Sequence, residues 1–313
     1  MLTDKQKLER KKGIGGSDVA SILGISPWKT SLQLWIEKTS ELSIKDEEDN
    51  EAMYWGNVME PILRAEYERR TGNKVLSSDE IVAHPVHKFM IAHVDGVVLD
   101  NKDGVKLLEI KTASQFKSKD WGKEETDQLP DYYLTQIHHY MCVYDARECD
   151  VAVLIGGNQF KIYTVIKDRE MDKLLIEHET KFWNCVETNT PPSLQNTSDW
   201  HLLHAKNLVD MELEITTEYL EYVNKLADIQ QQIKILETDA EKLKINIMEF
   251  MGNHKNLLHD NKKIGQITVI NDSLNWDLSA LEKNHEIKNL YYTKQKKGYS
   301  YFKLSNNFKE KIK

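Results

Sequence analysis

The chain has 313 residues, 40% hydrophobic and 29% charged, with a formal net charge of −8. This is enough chain for one sizeable core plus a smaller module. It contains no apolar run long enough to span a membrane, and MLTDKQKLERKK lacks the apolar stretch of a signal peptide. The acidic balance gives no general attraction for nucleic acid, so binding it requires local basic surfaces. Candidates are Lys5, Lys7, Arg10, Lys11 and Lys12, then Lys117, Lys119 and Lys123, and finally Lys294, Lys296 and Lys297. The three cysteines, Cys142, Cys149 and Cys185, have no CxxC spacing. They read as reduced thiols in a cytoplasmic setting, and they argue against a four-cysteine iron–sulfur cluster.

Arg10 to Leu23 carries three glycines, and Ser17 is placed to cap a helix beginning at Asp18. Free N–H groups at such a helix start suit a phosphate, although the stretch is not a Walker loop. A helix is expected over Ser31–Glu41, then an exposed acidic linker over Lys45–Glu51. Tyr54–Gly72 reads as a helix with Val58, Ile62, Ala65 and Arg69 on one face and Leu63 and Tyr67 beside it. Pro61 predicts a kink or restart that leaves Glu60 at a break, free to point into a cleft.

Ile91–Leu99 and Val105–Ile110 are apolar runs flanking the turn-rich stretch from Asp100 to Gly104, the pattern of a β-hairpin. Folding it brings Asp95 opposite Glu109. Strand alternation gives Glu109 and Lys111 a shared face, with Ile110 pointing into the core. The expected result is an exposed polar patch of two carboxylates and an ammonium. Two carboxylates hold a hard divalent cation through oxygen, and a lysine beside them orients water or stabilises charge on a phosphate. This is the Asp-(x)n-Glu-x-Lys arrangement of metal-dependent phosphodiester nucleases.

Asp131–Tyr144 is helical, with Gln136 and Tyr140 four apart on one face and His139 close by. His138 diverges from His139, which disfavours a metal pair. A second hairpin joins Val151–Ile155 to Phe160–Lys167, and an amphipathic helix over Asp168–Thr188 ends at Pro191-Pro192. The order predicts an α/β core, a mixed sheet flanked by helices. From Ile215 the pattern changes. Ile215, Tyr219, Tyr222, Leu226, Ile229, Ile233, Leu236, Ala240, Leu243, Ile247 and Phe250 alternate by four and three. That is about five heptads, roughly 54 Å of helix with an apolar seam. Ile264–Ile270 and Tyr299–Leu304 read as strands of a small terminal module. Its Tyr291, Tyr292 and lysines are placed equally well to contact nucleic acid or to form an exposed edge. The expected division is 1–200 for the α/β core and 201–313 for the helical extension.

Six motifs in order, R-x-x-G-I-G-G-S-D, S-P-W, W-G-x-x-x-E-P, V-D-G-V, E-I-K-T and Q-x-x-x-Y, resemble the YqaJ-type phage recombination exonucleases. These belong with phage lambda exonuclease in the PD-(D/E)xK and RecB-like superfamily. The resemblance covers roughly residues 8 to 193. It implies a magnesium-dependent enzyme, with manganese substituting, that degrades one strand of linear duplex DNA from the 5′ end to expose 3′ single strands. By motif position, Asp95 and Glu109 are the implied metal ligands with the Ile110 carbonyl. Glu60 is then the upstream acid, Lys111 the residue beside the attacking water, and Gln136 the active-site glutamine with Tyr140 in support. Arg10 and Ser17 match the pocket for the 5′-phosphate. The resemblance further implies a phage or prophage protein in the bacterial cytoplasm, a RecT-like annealing partner and a homo-oligomer such as a trimeric ring. Val94 stands where the family usually has proline. The alternatives are an endonuclease of the same superfamily, or a catalytically silent DNA-end scaffold that recruits partners through its coiled coil.

Overall fold

The structure is a computed structural model that describes residues 10–40, 51–77, 80–100, 102–205 and 209–270, and the backbone of strands 273–276, 293–296 and 299–304. The chain divides into two compact units, Met1–Val209 and Asp210–Lys313. The elements of the first are α1 (Gly16–Ile22), α2 (Ser31–Thr39), α3 (Glu51–Thr71), β1 (Lys74–Leu76), β2 (Val82–Ala83), β3 (Ile91–Ala92), β4 (Gly96–Leu99), β5 (Lys106–Ala113), a short 3-10 turn (Gln115–Asp120), α4 (Asp131–Tyr144), β6 (Glu148–Ile155), β7 (Gln159–Ile166), α5 (Arg169–Glu187) and α6 (Thr197–His204).

The central sheet has the order β1-β4-β5-β6-β7. It is mixed: β5 and β6 run parallel, and the other neighbours are antiparallel. The parallel pair is joined through α4, because parallel strands need a long crossover. Helices cover both faces. Leu63 and Tyr67 of α3 pack with Val98, Leu108, Ile110 and Ala152. On the other face Ile137, Tyr140 and Met141 of α4 pack with Leu107, Val151 and Val153. A third cluster of Ile14, Val19, Leu34, Leu175 and Phe182 ties α1 and α2 to α5.

Three local expectations change. The first apolar run does not stay in one hairpin: Ile91 and Ala92 pair with Ala83 and Val82, and only Gly96–Leu99 joins the main sheet. Helix α3 runs unbroken through Pro61, which removes only one internal donor. Its buried stripe is Leu63 and Tyr67, spaced by four, whereas Val58 and Ile62 are exposed. Helix α1 starts at Gly16, so Ser17 lies inside its first turn, and the Gly15 N–H is capped by the Asp18 carboxylate at 3.1 Å.

The boundary expected at residue 200 falls inside α6, which belongs to the first unit. Buried Asp199 accepts the Thr30 hydroxyl at 2.6 Å, and Gln195 Oε1 accepts the Ser31 N–H at 3.1 Å. In the second unit, α7 (Thr217–Met251) is followed by β8 (Asn256–His259), β9 (Lys262–Ile270), β10 (Ser273–Trp276), β11 (Thr293–Lys296) and β12 (Tyr299–Leu304). Strands β12, β9 and β8 form one antiparallel sheet, and β10 pairs with β11. The apolar seam of α7 is exposed from Tyr219 to Leu243. Among the described residues no helix is long and apolar enough to cross a membrane. Lys5, Lys7, Tyr291, Tyr292 and Lys297 lie outside the described residues, as does most of the acidic linker.

Candidate active site

Strand β5 fixes the site. Leu108 and Ile110 face α3, so Leu107, Glu109 and Lys111 face α4. Gly96 pairs with Leu108, and continuing that register sets Asp95, just before β4, opposite Glu109. The Asp95 Oδ2 accepts the Ile110 N–H at 2.7 Å. The expected exposed patch is instead an interior one, with Glu109 only 3% exposed. The reason is that α4 covers this face, so both faces of β5 are inside.

Glu109 Oε1 accepts from Lys111 Nζ at 2.6 Å and from Gln136 Nε2 at 2.9 Å. Gln136 Nε2 also donates to the Tyr140 hydroxyl at 2.8 Å. Glu109 Oε2 is buried and finds no hydrogen-bond partner among the described residues. Burial and the neighbouring Asp95 charge push Glu109 up to about 8, with Lys111 pulling the other way. Burial likewise raises Asp95 against the pull of Lys111 and the Ile110 N–H. Burial works against the Lys111 ammonium, but Glu109 and Asp95 outweigh it and hold its pKa above the usual lysine value. The ammonium also lies 5.0 Å from the centre of the Tyr133 ring, within cation–π range.

Glu60 lies on α3, the helix covering the opposite face of the sheet. Its carboxylate is paired with Arg64, although its charge is among those raising Glu109. Among the described residues no three His, Cys, Asp or Glu side chains gather to hold a metal. The expected trio of Asp95, Glu109 and Glu60 is therefore reduced to its first two members. Those two do fit a hard cation: adjacent carboxylates in a low-dielectric site, one with an unpartnered buried oxygen.

A cleft of about 240 Å3 opens beside Asp95, lined by Arg10, Gly15, Gly16, Ser17, His93, Gln136 and Tyr140 among others. Arg10 Nη2 donates to Ser17 Oγ at 2.7 Å, so the two residues expected at a phosphate pocket meet in the same cleft as the acidic site. Their loop is fixed by a lysine that sequence reasoning missed. Lys38 Nζ donates to Arg10 O, Gly13 O and Asp18 Oδ2, each at 2.7 Å. Burial opposes the Asp18 charge, but Lys38 and Arg10 outweigh it and keep its pKa below the ordinary value. A Cβ on Gly16 would sit 2.5 Å from a Tyr140 ring carbon, so only glycine lets α1 approach α4 this closely. His93 and Tyr133 were also missed; His93 Nε2 is buried beside the cleft and has no hydrogen-bond partner among the described residues. Asp18 lay within the glycine motif and His93 two positions before Asp95, but nothing local distinguished Lys38 or Tyr133.

The central mixed sheet between helices bears Asp95 opposite a Glu109-x-Lys111 pair, the arrangement the resemblance implied. Val94, in place of the proline, is a buried core residue. The model of the YqaJ-like viral recombinase domain matches residues 7–147. A YqaJ protein of Bacillus subtilis strain 168 is 33% identical over 270 residues, 82% of each chain. The chain belongs to the YqaJ family. Among solved structures, an alkaline exonuclease from Laribacter hongkongensis is 20% identical, covers 60% of this chain and 94% of its own, and has a TM-score of 0.48. Its complex with dAMP is 20% identical, with coverages of 66% and 100% and a TM-score of 0.46. A phage-related exonuclease from Haemophilus somnus 129PT is 14% identical, with coverages of 56% and 96% and a TM-score of 0.39.

The buried carboxylate has a consequence for stability without metal. The ordinary Glu109 carboxyl ionises near 4.5 and the folded one near about 8. Between these values the folded chain keeps a proton that the unfolded chain has lost, so stability falls as pH rises, and the slope ends above about 8. His139 adds a slope of the same sign: burial disfavours its charge, but Glu179 outweighs that and raises its pKa. Glu109→Gln keeps the His139 slope and loses the Glu109 one. Denaturation curves in chelator across this pH range should therefore be flatter for Glu109→Gln than for the unmutated chain. Parallel curves would refute the charged-carboxylate account.

Proposed function

We propose that the chain is a divalent-metal-dependent deoxyribonuclease that shortens linear duplex DNA from its ends, in the 5′ to 3′ direction, exposing 3′ strands for phage recombination. The observation that carries this is the buried Asp95–Glu109–Lys111 group, whose Asp95 lines the same cleft as Arg10 and Ser17. Membership of a viral recombinase family supports it. Magnesium is the proposed metal, with manganese able to substitute. When bound, it supplies Lewis-acid polarisation of the phosphoryl group and eases deprotonation of water near neutral pH.

The chain's own residues do the rest. Asp95 and Glu109 would hold the cation, with the Ile110 carbonyl as a further ligand. Gln136 fixes the Glu109 carboxylate, and Tyr140 supports Gln136. Lys111 sits where negative charge grows on the phosphate, a preorganised contribution of roughly 10²–10³ in rate. A compact ammonium suits a position this close to a carboxylate. Arg10 and Ser17 receive a terminal 5′-phosphate, and this would make the enzyme end-dependent rather than an endonuclease. The proposed setting is the cytoplasm of a bacterial host, with a RecT-like annealing protein as partner.

The seam of α7 supports self-association in the second unit. An unbroken heptad pattern supercoils with a like helix, because its apolar stripe follows a repeat of 3.5 residues. The flanking positions carry both signs, Lys225, Glu237, Asp239 and Lys244, so two copies do not repel. Burying each large side chain is worth roughly 1.5–3 kcal/mol.

Three tests separate these parts. On end-labelled linear duplex with magnesium, the unmutated protein should release nucleotides and leave a covalently closed circle intact. Asp95→Ala and Lys111→Ala should each lose at least about 100-fold in rate, with Asp95→Ala also weakening metal binding. Magnesium-independent cutting, or an active variant, overturns the assignment. In the second test a 5′-phosphorylated end should be cut faster than a 5′-hydroxyl end, and Arg10→Ala should erase the difference. Equal rates in the unmutated protein would remove the pocket. In the third, Leu226→Glu with Ile233→Glu should lower the mass measured by light scattering; an unchanged mass counts against the seam.

A further inference from the structure

The rings beside Lys111 form a continuous line from core to solvent. Tyr163 packs at 5.3 Å from Trp121, and Trp121 at 5.7 Å from Tyr133. Tyr133, which carries the Lys111 ammonium on its face, meets Tyr132 edge-on at 4.5 Å. Tyr132 meets Trp28 edge-on at 4.8 Å. Trp121 is buried, and Trp28 at the other end is 68% exposed.

An exposed apolar side chain needs no special explanation when it sits on a loose surface loop. Trp28 sits on a fixed one. Pro27 precedes it, and Ser26 Oγ accepts the N–H groups of Trp28 at 3.2 Å and Lys29 at 3.4 Å. The turn's far end is anchored by Thr30 to Asp199 and by Ser31 to Gln195. Gln195 Nε2 also donates to Ser21 O at 3.3 Å. A rigid scaffold thus holds an indole that is 68% exposed, with Tyr132 packed against it at a steep angle. Flat aromatic faces of this kind accept any nucleobase, whatever the sequence.

We propose that Trp28, backed by Tyr132 and Tyr133, is a stacking platform for one unpaired base of the DNA strand whose phosphate reaches Asp95, Glu109 and Lys111. The proposal rests on the nuclease reading above and deepens it by naming how a neighbouring nucleotide is held. Trp28 is linked to the Lys111 ammonium through Tyr132 and Tyr133, so the stacked base lies within a few nucleotides of the reacting phosphate. A single stacked base is worth about a 5- to 150-fold change in affinity.

The test is a coupling experiment on the full-length chain, using Trp28→Ala and Trp28→Phe. Duplex ends carry an abasic residue at each of the terminal few positions of either strand in turn. Binding is measured in chelator, and cleavage in magnesium. Trp28→Ala should weaken binding and raise KM by a factor in that range on intact ends. The loss should vanish at the one abasic position whose base the indole would stack, and Trp28→Phe should recover most of it. An unchanged affinity in Trp28→Ala overturns the platform. An equal loss at every abasic position does so too, because it assigns Trp28 to folding alone. The binding arm needs no chemistry. An unmutated protein that shows the coupling but never cleaves therefore removes the nuclease reading and leaves the platform.

Discussion

The structure turns on one unfavourable placement, the Glu109 carboxylate in the middle of a sheet covered on both faces. Burial alone would force it neutral. Lys111 and Gln136 stabilise one oxygen, at 2.6 and 2.9 Å, and leave the other without a partner among the described residues. Asp95, held by the Ile110 N–H, adds like charge alongside. Such a group is destabilising in the fold by itself, and under the proposed function a divalent cation would offset that cost. The strain is tolerated because the surrounding packing determines the backbone. Ile110 is anchored among Leu63, Tyr67 and Ala152 on one side, and Leu107 sits among the α4 residues on the other.

The second constraint is the approach of α1 to α4, which brings Arg10 and Ser17 to the acidic group. It depends on Gly16 lacking a side chain against Tyr140, and on Lys38 gathering two carbonyls and the Asp18 carboxylate. Because that cluster is buried, removing either charged partner would leave the other uncompensated. The glycine loop that carries Arg10 and Ser17 is therefore held by charge as well as by packing.

The chemistry was more legible in the sequence than its surroundings. Alternation and a turn-rich link sufficed to set Asp95 opposite Glu109, because a hairpin register is local information. The α4 boundaries and the Gln136–Tyr140 pairing were legible for the same reason: 3.6-residue periodicity acts over a few positions. What failed were inferences that need to know what lies opposite. Val58 and Ile62 look as apolar as Leu63 and Tyr67, and only the sheet decides which stripe is buried. Lys38 looks like any helix lysine until Gly13 and Asp18, 25 and 20 positions earlier, are brought beneath it. Glu60 was expected at a break, but α3 is unbroken there and its carboxylate pairs with Arg64 one turn on.

The acidic balance of the chain also acquires a physical sense. Long-range attraction to a phosphate backbone comes from clustered Lys and Arg and weakens steeply with salt. Here the cations nearest the site are largely committed: Lys38 to the glycine loop, Arg64 to Glu60 and Lys111 to Glu109. An affinity built this way depends on short-range terms instead. Under the proposed function these would be a phosphate seated against Arg10, a cation shared between protein and substrate, and a base against Trp28. The first and the third call for a strand end or an unpaired nucleotide, which the interior of a duplex does not offer. On that reading, preference for chain ends would come from these two contacts rather than from long-range charge.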